Sequence, residues 1–117
     1  MKKKLYIMNS AMMPNDGFYS KKTVSATQAA ELFDDLARQR EVVGTLGYPN
    51  ICAIASALLQ YPFVVNRKEI TFKKGDVAIC FQLVYRVIAP GEKSLGIHGN
   101  SIDDYKVSVV EFYGTRI

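Results

Sequence analysis

Gln82 and Arg86 are the two polar residues whose spacing says most about chemistry. Four residues apart in a strand, they share one face and lie roughly 13 Å apart. The remaining positions of that face, Ala78, Cys80 and Val84, are apolar. Gln82 could bond a neighbouring backbone while Arg86 reaches solvent. Alternatively, the two could form a basic, amide-bearing floor for an anionic ligand, because guanidinium groups match phosphate oxygens.

Three other segments carry side chains that are suited to an anion. Asn66-Arg67-Lys68 is either a solvated turn or a phosphate clamp. Gly47-Tyr48-Pro49-Asn50 precedes a helix N-terminus, where backbone N–H groups favour anions, although most helix starts bind nothing. Asn9-Ser10-Ala11 follows the first strand, a position that is common both for ligand contacts and for plain turns.

Metal and cofactor chemistry lack support in the sequence. His98 is the single histidine, and in its glycine-rich loop it is either a general base or simply exposed. Cys52 and Cys80 lie inside apolar runs, which favours buried thiols over a disulfide bridge. Since these residues form no metal-ligand pattern and no phosphate-binding loop is present, we predict neither a metal nor a cofactor.

Composition predicts one globular domain over residues 1–117. Hydrophobic residues make up 49% of the chain and charged residues 22%, and the net charge is +4. That charge permits an anionic partner, but the dense basic runs of a duplex-DNA binder are missing. The apolar stretch Ile51 to Leu59 is about half of the roughly 20 residues that a bilayer requires. We therefore expect a cytoplasmic protein without membrane contact.

Apolar runs and turn residues predict the strands. We expect strands at Lys4–Met8 and Phe18–Val24 and a last strand at Lys106–Tyr113. Glu69–Phe72 and Val77–Val87 are expected to form a hairpin, because Lys73-Lys74-Gly75-Asp76 between them is a turn sequence. In the long strand of this hairpin, odd-numbered and even-numbered positions should face opposite sides of the sheet.

Two helices complete the predicted fold. Ser25 and Gln28 form a capping box that opens the first helix, which should end near Glu41. Asn50 is the expected N-cap of the second helix, Ile51 to Gln60, which is so apolar that it should be sandwiched. The fold class is α+β (mixed α/β), a mixed sheet of four to five strands with two helices packed on it.

The order of these motifs resembles the viral ring nucleases that act as type III anti-CRISPR proteins, a family first seen as small uncharacterised proteins of archaeal viruses. Four segments carry the likeness: Leu5–Ala11, the Leu46-Gly47 lead into an apolar helix, Asn66–Ile70 and Gln82–Arg86. The likeness covers about Lys4 to Arg86, and the last strand matches more loosely. It implies a homodimer that binds cyclic tetra-adenylate, a defence second messenger, across its two-fold axis.

The resemblance also implies site residues. Asn9, Arg67 and Gln82 match ligand-binding positions, with Ser10 and Gly47 beside them in the predicted site. Arg86 matches the basic residue that stabilises the scissile phosphate.

Two positions depart from the family pattern. Tyr48 stands where the family has its catalytic histidine, and the family's acidic residue falls on Ile88-Ala89-Pro90. A tyrosine is a poor general base near neutral pH, but it can donate a hydrogen bond or stack on a base.

The predicted function is therefore to bind a cyclic oligonucleotide and remove it as a viral counter-defence protein. Removal would occur either by metal-independent cleavage, with Arg86 and Tyr48 as the catalytic residues, or by sequestration. In cleavage, the ribose 2′-hydroxyl would attack the adjacent phosphorus while Arg86 stabilises the developing charge. The alternative is a non-catalytic module of a virus or mobile element that binds a protein partner or nucleic acid.

Overall fold

One mixed sheet of five strands organises the part of the chain that the structure describes. This structure is a computed structural model, and it describes residues 3–9, 13–84 and 101–115. In chain order the strands are β1 (Lys4–Met8), β2 (Phe18–Val24), β3 (Glu41–Thr45), β4 (Val77–Leu83) and β5 (Tyr105–Gly114), arranged across the sheet as β2-β5-β4-β1-β3. Strand β1 pairs in parallel with β3 and β4, whereas β5 pairs antiparallel with β4 and β2. With two helices on the sheet, the predicted α+β fold class is confirmed.

Helix α1 (Ala26–Ala37) begins at the predicted capping box. The backbone N–H of Gln28 donates to Ser25 Oγ at 3.1 Å, and the Ser25 N–H donates to Gln28 Oε1 at 2.9 Å. The predicted end near Glu41 is wrong, because the helix ends at Ala37 and Glu41 is the first residue of β3. Strand β3 has no counterpart in the predicted element order.

Helix α2 (Pro49–Leu59) begins two residues earlier than predicted. Tyr48 is its N-cap and Pro49 occupies the first turn, so the prediction of Asn50 as N-cap is wrong. Proline suits the first helical position because its fixed φ is helical and its missing N–H has no partner there anyway. The helix packs by one face rather than being sandwiched, since Ala53 and Ala57 are exposed.

The predicted hairpin before β4 is wrong, although its turn is present. Glu69–Phe72 forms no strand, and β4 pairs with β1 and β5 instead. The Asn15 side chain takes the place of a neighbouring strand, because its Oδ1 accepts from Phe72 N at 2.9 Å and its Nδ2 donates to Phe72 O at 3.3 Å. The turn itself closes with Asp76 N donating to Lys73 O at 2.9 Å, and Gly75 has a φ of 90°.

The sheet separates two apolar cores. The core on the helical face includes Leu5, Ile7, Val77, Ile79 and Phe81 from the sheet, packed on Ala29, Phe33, Ile51, Ala55 and Leu59 of the helices. The core on the opposite face includes Tyr6, Met8, Phe72, Ala78, Cys80, Val110 and Phe112. The alternation predicted along β4 is therefore confirmed through Phe81. Cys52 and Cys80 are both buried and unbridged, as predicted.

The two helices are also short. In residues 3–9, 13–84 and 101–115, neither helix is long enough and apolar enough to cross a membrane.

Candidate ligand-binding site

The carboxyl ends of three parallel strands meet at one edge of the sheet. β1 lies between β3 and β4, with Met8 level with Thr45 on one side and with Cys80 on the other. After β1 the chain forms β2 at one edge of the sheet, then β3 at the other edge, and then returns to β4. In sheets with parallel strands, ligands bind outside the carboxyl ends at such a reversal of strand order. Asn9 follows β1 and Gly47-Tyr48 follows β3, so two predicted segments reach this edge.

The turn between β3 and α2 is fastened by two consecutive residues from a distant segment. Asn66 donates its backbone N–H to Leu46 O at 2.9 Å and its side-chain Nδ2 to Gly44 O at 2.8 Å. Arg67 donates from Nε to Gly47 O at 3.0 Å. These three bonds hold the turn in one conformation, so the Asn66-Arg67 pair has a structural role beside its predicted ligand role.

Arg67 also lies over the ring of Tyr48. The guanidinium carbon is 5.0 Å from the centre of the ring, which is cation–π distance. The Tyr48 side chain nevertheless stays 55% exposed. The pair therefore presents a positive charge and an aromatic ring together at the carboxyl edge.

Asn9 lies beside Gly47 and Arg67. A Cβ added to Gly47 would lie 3.8 Å from Asn9 Nδ2 and 3.5 Å from Arg67 Nε, so the three residues surround one small space. Four of the predicted site residues, Asn9, Gly47, Tyr48 and Arg67, are thus brought together from three separate segments.

Two cavities open on either side of Asn9. One, of about 430 Å³, is lined by Asn9, Tyr48, Asn50, Ile51, Leu83 and Tyr105. The other, of about 680 Å³, is lined by Met8, Asn9, Pro14, Thr45, Lys68, Glu69, Ile70 and Thr71. Both volumes lie within the range of small-ligand sites.

The structure does not place Gln82 with this group. Its neighbours on β4, Phe81 and Leu83, face the helical side, whereas Gln82 shares the opposite face with Ala78 and Cys80 and is exposed opposite Lys106. Asn9 continues the alternation of Leu5 and Ile7 on the helical side. Ser10, Arg86 and His98 lie outside the described residues. A short 3₁₀ helix, Ile102–Asp104, comes directly before β5.

Tyr105 lines the site although the sequence analysis did not name it, and Asn50, interpreted there as a helix cap, lines it as well. Asn50 Nδ2 donates to the Tyr105 hydroxyl at 3.4 Å across the smaller cavity. Burial raises the pKa of the Tyr105 phenol, and the nearby Asp104 carboxylate raises it further. Proline favours the first position of a helix, so Pro49 indicates that α2 begins there. This start places Asn50 in the first turn, where its side chain can face the sheet.

Metal ligation has no basis in this part of the chain. Within residues 3–9, 13–84 and 101–115, no group of three or more His, Cys, Asp or Glu side chains could hold a metal ion.

Comparisons with known proteins assign the chain to a family. No curated protein matches the chain. The family model that is described as STIV B116-like matches residues 5–98, which includes every residue of the candidate site except Tyr105. The chain belongs to the STIV B116-like family.

A solved structure supports the same fold for this family member. The chain is similar to B116 of Sulfolobus turreted icosahedral virus, with a TM-score of 0.68 and 12% sequence identity. The match covers 92% of this chain and 98% of that protein. At this identity the likeness shows the shared fold, and the functional assignment has to come from the site.

Proposed function

We propose that this STIV B116-like protein binds a cyclic oligonucleotide second messenger of the cyclic tetra-adenylate type and thereby acts as a viral counter-defence protein in the host cytoplasm. Two copies of the chain would share one ring, each offering Asn9, Arg67 and Tyr48. The observation that carries the proposal is the meeting of these three side chains, from separate segments, at the carboxyl ends of β1 and β3.

The chemistry of this group suits a ribose-phosphate ligand. The Arg67 guanidinium can pair with phosphate oxygens, and the Asn9 amide can donate to them. The exposed Tyr48 ring offers a surface for a nucleobase. The match to a family whose solved member comes from an archaeal virus supports the viral setting.

Tyr48 favours sequestration over rapid cleavage. Cleavage by the ribose 2′-hydroxyl needs a group that takes or gives a proton near neutral pH, which typically contributes about 10²–10⁴-fold in rate. A phenol does this poorly, and Tyr48 is engaged with Arg67. Arg86, outside the described residues, would still stabilise charge at the phosphorus if a slow cleavage occurs.

Calorimetry with a panel of cyclic oligonucleotides, followed by chromatography of the incubated ligand, tests this proposal. We expect tight binding of cyclic tetra-adenylate that is recovered intact. Arg67→Ala should weaken binding by roughly 10- to 100-fold, because one charged hydrogen-bonding group contributes about 1.5–3 kcal/mol. Arg38→Ala, at an exposed position after α1, is the matched control and should bind like the wild type. Absence of binding by every ring would overturn the proposal.

One observation favours the second candidate, a module that binds another macromolecule. Val64 is 76% exposed and Val65 45% exposed in the segment after α2, next to Tyr61, which is 39% exposed. Exposed apolar residues in a row are typical of protein contact sites. This function predicts that a Val64→Ser, Val65→Ser variant loses its protein partner, whereas Arg67→Ala keeps it.

A further inference from the structure

A further cavity, of about 550 Å³, lies at the end of the sheet opposite the Arg67 group. It opens where the turn before β4 meets the end of β5. Three segments line it, namely Asn15, residues 71–74 and residues 112–115. None of the side chains that carry the proposed function is among its described lining residues. Its volume lies within the range of small-ligand sites, so this end of the molecule offers a separate place for a ligand.

The rim of this cavity is cationic. Lys73 and Lys74 are both exposed and both line it, whereas none of its described lining residues is acidic. Lys3 Nζ donates to Lys74 O at 2.5 Å, which brings a third ammonium group to the same turn. The carboxylate of the neighbouring Asp76 is buried and accepts from the backbone N–H groups of Lys4 and Lys73, and the three ammonium groups outnumber it. The rim therefore favours an anionic group.

Aromatic rings form the floor of the cavity. Phe72 and Phe112 both line it, and each is only 3% exposed. Tyr19 packs on both rings, with its ring centre 5.9 Å from that of Phe72 and 4.8 Å from that of Phe112. These contacts hold the floor in place before a ligand arrives, which reduces the entropy lost on binding. An apolar group is therefore the part of a ligand that suits this floor.

The Lys74 side chain joins the apolar floor to the cationic rim. A Cβ added to Gly114 would lie 3.8 Å from Cβ, Cγ and Cδ of Lys74, so the apolar stem of the lysine lies beside the glycine. Lysine stems cover apolar surface in this way while the ammonium group stays in water. Gly114 has a φ of 100°, which favours glycine, so no side chain fills the cavity from this position.

We propose that this cavity is a second ligand site, which takes a small organic anion that joins an apolar body to a carboxylate. The body packs on Phe72 and Phe112, and the carboxylate pairs with Lys73 and Lys74. An inorganic anion would use the rim alone and leave the floor without a contact. This site goes beyond the proposed function, because it shares no residue with the Asn9, Arg67 and Tyr48 group.

Three probes separate the two parts of this chemistry. Phenylbutyrate has an aromatic body and a carboxylate, phenylbutanol has the body alone, and acetate has the carboxylate alone. NMR titration of the isotope-labelled protein measures each affinity, and the backbone amide signals that move locate the site. We expect phenylbutyrate to move the signals of residues 72–74 and 112–115. It should bind roughly 3- to 10-fold more tightly than phenylbutanol, because exposed ion pairs contribute modestly, and more tightly than acetate.

Two double variants with the same change of charge test the rim. Lys73→Ala, Lys74→Ala should lose about 3- to 10-fold in phenylbutyrate affinity. It should keep the fold, because the hydrogen bonds at Lys73 N and Lys74 O use the backbone. Lys21→Ala, Lys22→Ala is the matched control, since it removes two exposed lysines of β2 outside the cavity and should bind phenylbutyrate like the wild type.

Several outcomes would overturn this second site. Equal affinities for phenylbutyrate and phenylbutanol would mean that the rim has no role, and equal affinities for phenylbutyrate and acetate would mean that the floor has none. Equal losses in the two double variants, or moved signals confined to another part of the chain, would place binding elsewhere. Excess cyclic tetra-adenylate should leave the phenylbutyrate affinity unchanged, and competition between the two would also refute a separate site.

Discussion

At the scale of single residues, Arg67 both holds the site together and supplies its positive charge. Its Nε bond to Gly47 O and its stacking on Tyr48 use the planar guanidinium, while its positive charge is available to a phosphate. A lysine would keep the charge but could not reproduce both contacts, since its ammonium is a compact point charge. Substitution by lysine therefore separates the effect of the guanidinium geometry from the effect of the positive charge.

Arg67→Lys should weaken cyclic tetra-adenylate binding by about 10-fold, less than Arg67→Ala but clearly measurable. The reason is that the lysine leaves the Gly47-Tyr48 turn without its side-chain donor. Calorimetry on both variants measures the difference. Wild-type affinity in Arg67→Lys would mean that a positive charge alone is sufficient.

Gly47→Ala should leave the fold intact and weaken ligand binding. The new Cβ would make only ordinary contacts, at 3.5 Å or more from the described atoms, so stability should change by no more than about 0.5 kcal/mol. The methyl group would, however, enter the space between Asn9 and Arg67. Thermal unfolding and calorimetry measure the two effects.

Gly44→Ala is the contrasting variant for Gly47→Ala. Its Cβ would lie 2.9 Å from Phe63 Cδ1, so the ring must shift and the protein should lose stability. If Gly47→Ala binds the ring like the wild type, the space beside Asn9 is not part of the site.

Cys80 should lower the free energy of unfolding at alkaline pH. Burial raises the pKa of its thiol from the ordinary 9.0 to about 12, with a smaller opposing effect of Lys21. The unfolded chain releases this proton above pH 9.0 while the folded chain keeps it, so the stabilisation is complete below pH 9.0 and is lost toward pH 12. The loss is about 1.4 kcal/mol between pH 8 and pH 10.

Urea unfolding of the wild type and of Cys80→Ala measures this effect. The other groups titrate alike in both proteins, so the difference between the two curves isolates Cys80. Parallel pH dependences would contradict a buried, neutral thiol at this position.

At the scale of elements, the sequence predicted those strand and helix ends that neighbouring residues specify. The bounds of β1 and β2 and the start of α1 agree with the prediction. An apolar run specifies β1, turn residues and the capping box bound β2, and the capping box begins α1. Glu69–Phe72 was misread because its backbone partner, Asn15, is distant in sequence. The short β3 was missed because its pairing with β1 has no local signature.

The Asp76 side chain joins β1 to the turn before β4 at the opposite end of the sheet. Its carboxylate is 4% exposed and accepts from Lys4 N at 3.0 Å and from Lys73 N at 2.8 Å. Asp76→Ala should lower the free energy of unfolding by about 3 kcal/mol, since two partly buried backbone donors lose a charged acceptor. Urea unfolding measures it, with the exposed Asp16→Ala as the control. A loss below about 0.5 kcal/mol would mean that water replaces the carboxylate.

At the scale of the whole molecule, the sheet decides which predicted residues can act together. Parallel pairing carries Asn9 and the Gly47-Tyr48 turn to one edge, and the segment after α2 returns there with Arg67. The same pleat turns Gln82 to the other face, which spacing within one strand could not reveal. A ring that touches Gln82 as well as Asn9 must therefore reach around the edge or contact a second copy of the chain.

The proposed sharing of one ring by two copies of the chain fixes the ratio of ligand to protein, which can be measured. Calorimetry should give one cyclic tetra-adenylate per two chains, because a ring with repeated phosphates is matched by two symmetric sets of Asn9, Arg67 and Tyr48. Sedimentation equilibrium should show a dimer both with and without the ring, and Arg67→Ala should keep the dimer while losing the ligand. One ring per chain, bound to a monomer, would refute the shared site, because each copy would then supply every ligand contact by itself.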